Sequence, residues 1–269
     1  MKVSQKPKIS TIMSVYNGMP FLKEAVKSIL AQTYKNFEFI IVDDSSTDGS
    51  TRYLKSLKDK RIKLIINKKN LGLAESLNKA LKKTRGKYIA RMDADDISLP
   101  RRFETQLEFF KKNPKVDLCG SWVKLINEQN RVIGKVHYPT GDAEIKKMSG
   151  WITGIIHSTW MAKKNVFDNL KGYDTKFDMA EDLDFLIRAK KFKLANISKE
   201  LLLWRSPQKR RSQKNVEKMY RISLKVRWKH LKEGNLEFSA TPYLIRSLIT
   251  TYLIPTKIKI FINKSAGLI

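Results

Sequence analysis

The sequence predicts an α/β fold, a mostly parallel sheet flanked by helices and followed by a basic helical C-terminal extension. Three observations predict it. Apolar runs alternate with amphipathic stretches through the first hundred residues, the pattern of parallel strands joined by right-handed crossovers. Acidic clusters fall at the ends of those runs, where ligands bind in open parallel sheets. From Lys209 onward the chain turns basic: Arg210, Arg211, Lys214, Lys218, Arg221, Lys225, Arg227, Lys229 and Lys232 face only Glu217 and Glu233.

The elements follow in order. Ile9 to Val15 reads as a strand, and Phe21 to Ala31 as a helix, with Leu22, Ala25, Val26, Ile29 and Leu30 at helical spacing behind Pro20. Phe37 to Val42 is a second strand, followed by the turn DDSSTDG and a helix reaching about Leu57. A strand at Ile62 to Ile66, a helix at Ala74 to Lys83 and a strand at Tyr88 to Met92 complete the regular alternation. Past Pro100 the pattern loosens: a helix over Arg102 to Lys112 is closed by Asn113-Pro114, and strands are expected over Val116 to Ile126 and Arg131 to His137. The apolar run after Lys193 is expected to return to the sheet.

Composition narrows the function classes. A chain of 269 residues that is 42% apolar, with 12 Phe, 9 Tyr and 5 Trp, can bury a sizeable core. Cys119 is the single cysteine, so an internal disulfide is impossible and a cysteine-based zinc site is disfavoured. The N-terminal stretch MKVSQKPKISTIMSVYN lacks the apolar segment of a secretory signal, and a cytoplasmic location is expected. A formal charge of +28 draws polyanions: nucleic acid, anionic lipid or phosphorylated substrates.

The carboxylates sit in three places. In ARMDADDISLP, Asp93, Asp95 and Asp96 crowd together, which raises their pKa values unless a cation or backbone donors compensate. They read either as a solvated turn in which Asp96 or Ser98 caps the next helix, or as a hard-cation site built on Asp93 and Asp95. In IIVDDSSTDGS the spacing of Asp44, Ser46, Asp48 and Gly49 resembles a calcium loop, but its twelfth position is Lys55, which removes that reading. A strand-end pair remains, Asp43 and Asp44, serving a base or ribose or merely the cap of a helix at Ser46, Thr47 or Asp48. The third run, Glu181-Asp182-Leu183-Asp184, opens a helix, where acids are favoured by the dipole.

The ordered segments SVYNGMPFLKEAVKSILAQTY, FEFIIVDDSSTDGS, NLGLAESLNKALKKTRGKYIARMDADD and GYDTKFDMAEDLDFLIR resemble the inverting family-two glycosyltransferases, over roughly Lys8 to Trp204. The resemblance implies a GT-A type, Rossmann-like sheet, a nucleotide-diphosphate-sugar donor, usually UDP-linked, and a Mn²⁺ or Mg²⁺ cofactor. Carried over by position, Tyr16 flanks the base and Asp44 hydrogen-bonds it, while Asn70 and Gly72 lie in the loop approaching the donor. Arg91 precedes the Asp93-Ala94-Asp95 pair, which contacts ribose, metal and diphosphate, and Asp182 matches the general base. A histidine that follows an aromatic-Arg pair in several relatives is absent, since Trp204-Arg205-Ser206-Pro207 stands there; Arg205 or Lys209-Arg210-Arg211 takes over the diphosphate, or the stretch is a solvated basic loop. His157, Trp151 and Trp160 are acceptor-pocket candidates or ordinary core residues.

On this resemblance residues 1–100 form the nucleotide-sugar half of a catalytic domain, 101–208 its acceptor half and 209–269 the extension. The acceptor is a hydroxyl of a glycan or lipid-linked molecule, and bacterial surface-polysaccharide or lipopolysaccharide synthesis is the commonest setting for similar chains. The run Tyr243 to Ile254, with Pro255, Lys257 and Lys259 after it, is too short to span a bilayer, which takes roughly twenty residues. It either lies on the anionic inner face of the cytoplasmic membrane or packs on the core. The rival class, a non-enzymatic polyanion-binding protein on the same scaffold, accounts for the charge; no zinc-finger spacing or RNA-binding aromatic signature supports nucleic acid.

Overall fold

The sheet grows from the strands that the sequence marks most plainly. Strands β1 (Ile9–Val15), β2 (Phe37–Asp43), β3 (Ile62–Ile66) and β4 (Tyr88–Arg91) pair in parallel in the order β3-β2-β1-β4. Every residue of β2 and β4 is buried, as expected of strands covered on both faces. In this computed structural model residues 6–150, 152–206, 216–236, 241–255 and 258 are described, with backbone alone for 216, 241–243, 246 and 247. Trp151, Lys209, Arg210, Arg211, Lys214, Lys257 and Lys259 lie outside the described residues.

Side-chain alternation along the strands divides the core into two layers. Met13 and Val15 of β1, with Phe37, Phe39 and Ile41 of β2, face α1 (Leu22–Leu30) and α4 (Arg102–Lys112). Ile12, Ile40 and Val42 face α3 (Leu73–Leu81), α6 (Lys164–Leu170) and α7 (Glu181–Arg188) on the other side. Helix α2 (Ser50–Ser56) adds Leu54 to the first layer, and α5 (Asp142–Met148) adds Ile145 to the second.

Beyond β4 the sheet turns mixed. Strand β8 (Met161–Lys163) lies antiparallel between β4 and β6 (Leu118–Ile126), β9 (Leu194–Arg205) runs parallel to β6, and β7 (Val132–Val136) pairs antiparallel with β6. The two-residue β5 (Ile97–Ser98) closes the far edge against β9. That edge comes back to the first layer: Gln32, just after α1, donates to Ser98 Oγ (3.1 Å) and to the Leu99 carbonyl (2.8 Å). Ser98 therefore belongs to a strand and does not cap α4, whose N-cap is Arg101 with no side-chain bond. Gly49, at φ +95°, occupies the N-cap position of α2, while Asp48, one of the expected caps, accepts the Ser50 N–H (3.0 Å) at the helix start. Strands β5 and β8 and helices α5 and α6 go beyond the sequence reading, because two to seven residues carry too little periodicity to declare themselves.

Helix α8 (Val216–Lys232) packs on α7, and α9 (Thr241–Tyr252) packs on α8. Val226 and Leu236 close a small core with Ala180, Leu183 and Ile187, so α7 is covered on both sides. Asp184 is the polar centre of that junction. Fully buried, it meets His230 at 2.9 Å, Arg188 at 2.7 Å and Lys229 at 3.4 Å. Burial pushes its carboxyl upward, but the hydrogen bond with His230 and the Arg188 and Lys229 charges outweigh it and hold the pKa below the usual range.

A depressed carboxylate stabilises the fold above its unfolded pKa and loses that contribution as pH falls through the folded value. Asp184→Ala, which leaves His230 and Arg188 without their shared anion, is expected to cost about 3 to 5 kcal/mol. Urea unfolding at neutral pH measures this, and the gap between variant and parent should narrow in acid.

Candidate functional site

The four parallel strands end at one edge, with Val15 opposite Asp43 and Asp43 opposite Ile66. The loops beyond them are tied together. Asn17, at φ +50°, accepts the Thr47 N–H (2.7 Å) and donates its own N–H to Ser46 Oγ (3.0 Å). Met19 N–H reaches Asp48 Oδ2 (2.8 Å), and Gly18 N–H reaches Ser50 Oγ (3.0 Å). Asp43 is fully buried and bonded to Thr51 Oγ1, so it braces this turn from inside. The Tyr16 ring stands 54% exposed on top, an aromatic face available to a planar ligand.

Asp44 governs the neighbouring loop. Its Oδ1 accepts from Asn67 Nδ2 (2.7 Å) and Leu71 N–H (2.9 Å), and its Oδ2 from Gly72 N–H (2.9 Å). This buried carboxylate thereby fixes the 67–72 loop and presents Asn70 to solvent. Gly72 adopts φ +86° and ψ 166°, a conformation that only glycine enters readily. A Cβ there would also stand 3.2 Å from Asp178 Oδ1, so the donor-side loop touches the segment that leads into α7.

The acidic loop crosses the same edge. Asp93, Asp95 and Asp96 each offer a carboxylate oxygen within 4.8 Å of the others, an oxygen-only set that suits Mg²⁺ or Mn²⁺ and not a soft metal. Asp93 and Asp95 are half-buried, whereas Asp96 is fully buried. Arg91, itself buried, forms an ion pair with Asp93. Burial works against its charge, yet Asp93, Tyr173 and Asp96 together keep its pKa above the ordinary value.

Arg205, expected at the diphosphate, lies elsewhere. Wholly buried, it gives its backbone N–H to Asp96 Oδ1 (2.9 Å) and its Nε–H to the Asp95 carbonyl (2.7 Å). Its remaining donors reach the Asn127 carbonyl (3.2 Å) and Glu24 Oε2 (2.7 Å), and its plane lies 4.3 Å from the Phe21 ring. With its donors so committed, it braces the acidic loop from behind. Asp96 is correspondingly pinned to the end of β9; it is not a helix-start acid. Arg102, which the sequence did not single out, lies beneath and donates to the Arg91 carbonyl (2.8 Å).

Glu181 and Asp182 open α7 across from Arg91 and Asp93, whose charges both act on Asp182. Burial raises the Asp182 pKa first and Asp93 raises it further, against the Leu183 N–H (2.7 Å) and Arg91. Glu181, buried and beside Asp182, is pushed up to about 8. Two adjoining carboxyls, Glu181 buried and Asp182 half-buried, titrate together. Tyr138 and Tyr173, also absent from the sequence candidates, feel the Asp182 charge. A tyrosine reads as core until a fold places it beside an acid. His157 bonds Tyr173 Oη at 2.8 Å, and Trp160 is wholly buried among Ile155, Phe185 and His157; both are core residues.

Comparison with known proteins shows what the chain is similar to. The family model described as Glycosyl transferase family 2 matches residues 10–171. An uncharacterized glycosyltransferase of Methanocaldococcus jannaschii is 37% identical over 95% of this chain and 94% of its own length. One from Haemophilus influenzae is 35% identical over 74% of this chain and 65% of its own. Among solved structures, S. aureus TarS in complex with UDP-GlcNAc superposes at a TM-score of 0.71 with 18% identity, covering 91% of this chain and 73% of TarS. The mannosyltransferase PcManGT of Pyrobaculum calidifontis, in complex with GDP-Man and Mn²⁺, gives 0.60 with 17% identity over 99% of this chain and 82% of its own.

Arg205→Lys keeps the charge and the backbone bond to Asp96 but cannot reach the Asp95 and Asn127 carbonyls and Glu24 from one point. A loss of about 3 kcal/mol in urea unfolding is expected, and an unchanged midpoint would show that the brace is dispensable.

Proposed function

The chain belongs to glycosyltransferase family 2 and has the GT-A fold, and from that premise we propose that it transfers a sugar from a UDP-linked donor to a hydroxyl of a glycan or lipid-linked acceptor, inverting the anomeric carbon. The observation that carries the reading is the meeting, at one sheet edge, of the Asp93–Asp96 loop with an Asp182 whose carboxyl is pushed upward. Structures of the same fold bound to UDP-GlcNAc and to GDP-Man with Mn²⁺ support a nucleoside-diphosphate sugar as donor. Surface-glycan synthesis on the cytoplasmic side of a membrane is the setting we propose.

Each group has a task in that reaction. Tyr16 offers its exposed ring to the base, and Asp44 holds the 67–72 loop so that Asn70 and the Gly72 backbone approach the donor. Asp93 and Asp95 would hold Mn²⁺ or Mg²⁺, which supplies Lewis-acid neutralisation of the diphosphate. Arg91 keeps Asp93 in place and adds a buried positive charge that favours the negative charge developing on the departing diphosphate. A sugar hydroxyl is a weak nucleophile at neutral pH, so a carboxylate must take its proton during attack on the anomeric carbon. Asp182 is that base: its raised pKa makes it a stronger acceptor than an exposed aspartate, and the adjoining Glu181 carboxyl is likewise pushed upward, by burial and by the Asp182 charge.

Asp182→Asn is expected to lower turnover by about 10³-fold or more, within the usual reach of general-base catalysis and positioning, while UDP affinity stays within twofold. Near-normal transfer would remove the residue from its role. In the parent enzyme kcat should rise with pH through an inflection above the ordinary aspartate range, since the base works deprotonated and its pKa is raised; Asp182→Glu should move that inflection. Asp95→Ala should abolish the Mn²⁺ dependence of calorimetric UDP binding, and retention of that dependence would place the cation elsewhere.

A further inference from the structure

Helix α9 carries its apolar stripe outward. Ile245 (53%), Leu248 (43%), Ile249 (44%) and Tyr252 (64%) are exposed on one face of the helix, with Leu253 (74%) just past its end, while Leu244 and Thr251 are buried. The site described above uses none of these residues. The adjoining α8 shows solvent a different stripe at the same spacing, Lys218, Arg221, Lys225 and Lys232 around Trp228. Trp228 is 51% exposed, with the Lys232 ammonium 5.4 Å from its ring centre.

We propose that α9 and α8 form a membrane-docking face, the α9 stripe entering the interfacial zone of an anionic bilayer and the α8 cations contacting its headgroups. Charge chooses this occupant. A second copy would set one basic stripe against another in a chain of net charge +28, whereas an anionic leaflet attracts each Lys and Arg and takes up the apolar side chains between them. Tryptophan and tyrosine at the margin suit the same zone. Among the described residues no helix is long and apolar enough to cross a membrane, so the contact is peripheral. It also bears on the catalytic reading. His230 and Lys229 of α8 hold Asp184 of α7, and α7 begins with Glu181 and Asp182. Docking would therefore set the orientation of that helix to the lipid surface, as an acceptor embedded in the bilayer requires.

Flotation of the full chain with vesicles of phosphatidylglycerol and phosphatidylcholine, against phosphatidylcholine alone, tests the face. The parent should float with the anionic vesicles only, and Leu248→Glu with Ile249→Glu should weaken this by at least about tenfold with unfolding midpoint and UDP affinity unchanged. Equal flotation of variant and parent overturns the proposal, as does equal binding to both vesicle types. So does a parent dimer in sedimentation that the double substitution disperses, with no vesicle binding. Leu248→Cys gives an independent readout, since Cys119 is buried and its thiol is pushed up to about 12: an environment-sensitive label at 248 should shift to the blue with anionic vesicles, and an unmoved spectrum counts against insertion. Failure of UDP binding with intact flotation would strike the transferase reading and leave the docking face standing.

Discussion

The acidic edge depends on one buried guanidinium. Arg205 is reached by three parts of the chain that are remote in sequence: Glu24 on α1, the acidic loop through the Asp95 carbonyl and, at the Arg205 backbone N–H, the Asp96 carboxylate, and the Asn127 carbonyl after β6. A charge taken out of water is tolerated only where its donors are satisfied in good geometry, and that demand fixes the distances between those segments. The curl of the sheet, which returns β5 to α1, follows from the same closure. Without it the carboxylates would be free to spread apart and relieve their mutual repulsion.

Arg91 and Arg102 complete the counter-charge. Both are buried under the loop. Arg102 is bonded to carbonyls and to Gln106 and has no carboxylate among its partners, and burial, with Arg91 adding to it, lowers its pKa to about 9. A cation maintained this way stays charged at neutral pH and keeps a standing positive field beneath three aspartates. The surplus of basic residues and the acidic loop are thus two sides of one arrangement: buried positive charge allows anionic ligands to crowd, and the crowd is what a hard cation recognises.

Much of this was legible in the sequence, and the reasons are physical. The pattern of β1, β2 and β4 and the helices between them is strong because those strands are buried on both faces, leaving apolar runs. The Asp93-Ala94-Asp95 pair and the Glu181-Asp182 start of α7 stand at element ends, where carboxylates are conspicuous. What stayed hidden was long-range. Arg205 looks like any basic residue after a strand until β9 is seen to end behind the acidic loop. Asp44 carries no local sign that Asn67, Leu71 and Gly72 converge on it. Tyr173 and Tyr138 carry no local sign of their neighbour Asp182. Strands of two and three residues such as β5 and β8 owe their existence to partners already in place, so no window of sequence contains the cause.

The two-sided burial of α7 bears on how such a chain can be taken apart. Phe185 and Leu186 face the sheet, while Leu183 and Ile187 face Val226 and Leu236, and Asp184 finds two of its partners on α8. A boundary drawn by composition near residue 209 therefore cuts through a shared core. Removal of the basic extension would uncover leucine, isoleucine and a stripped carboxylate within one turn of Asp182. The catalytic part and its extension cannot be exchanged as separate modules, in the laboratory or by recombination, unless the incoming partner rebuilds the far side of a single eight-residue helix.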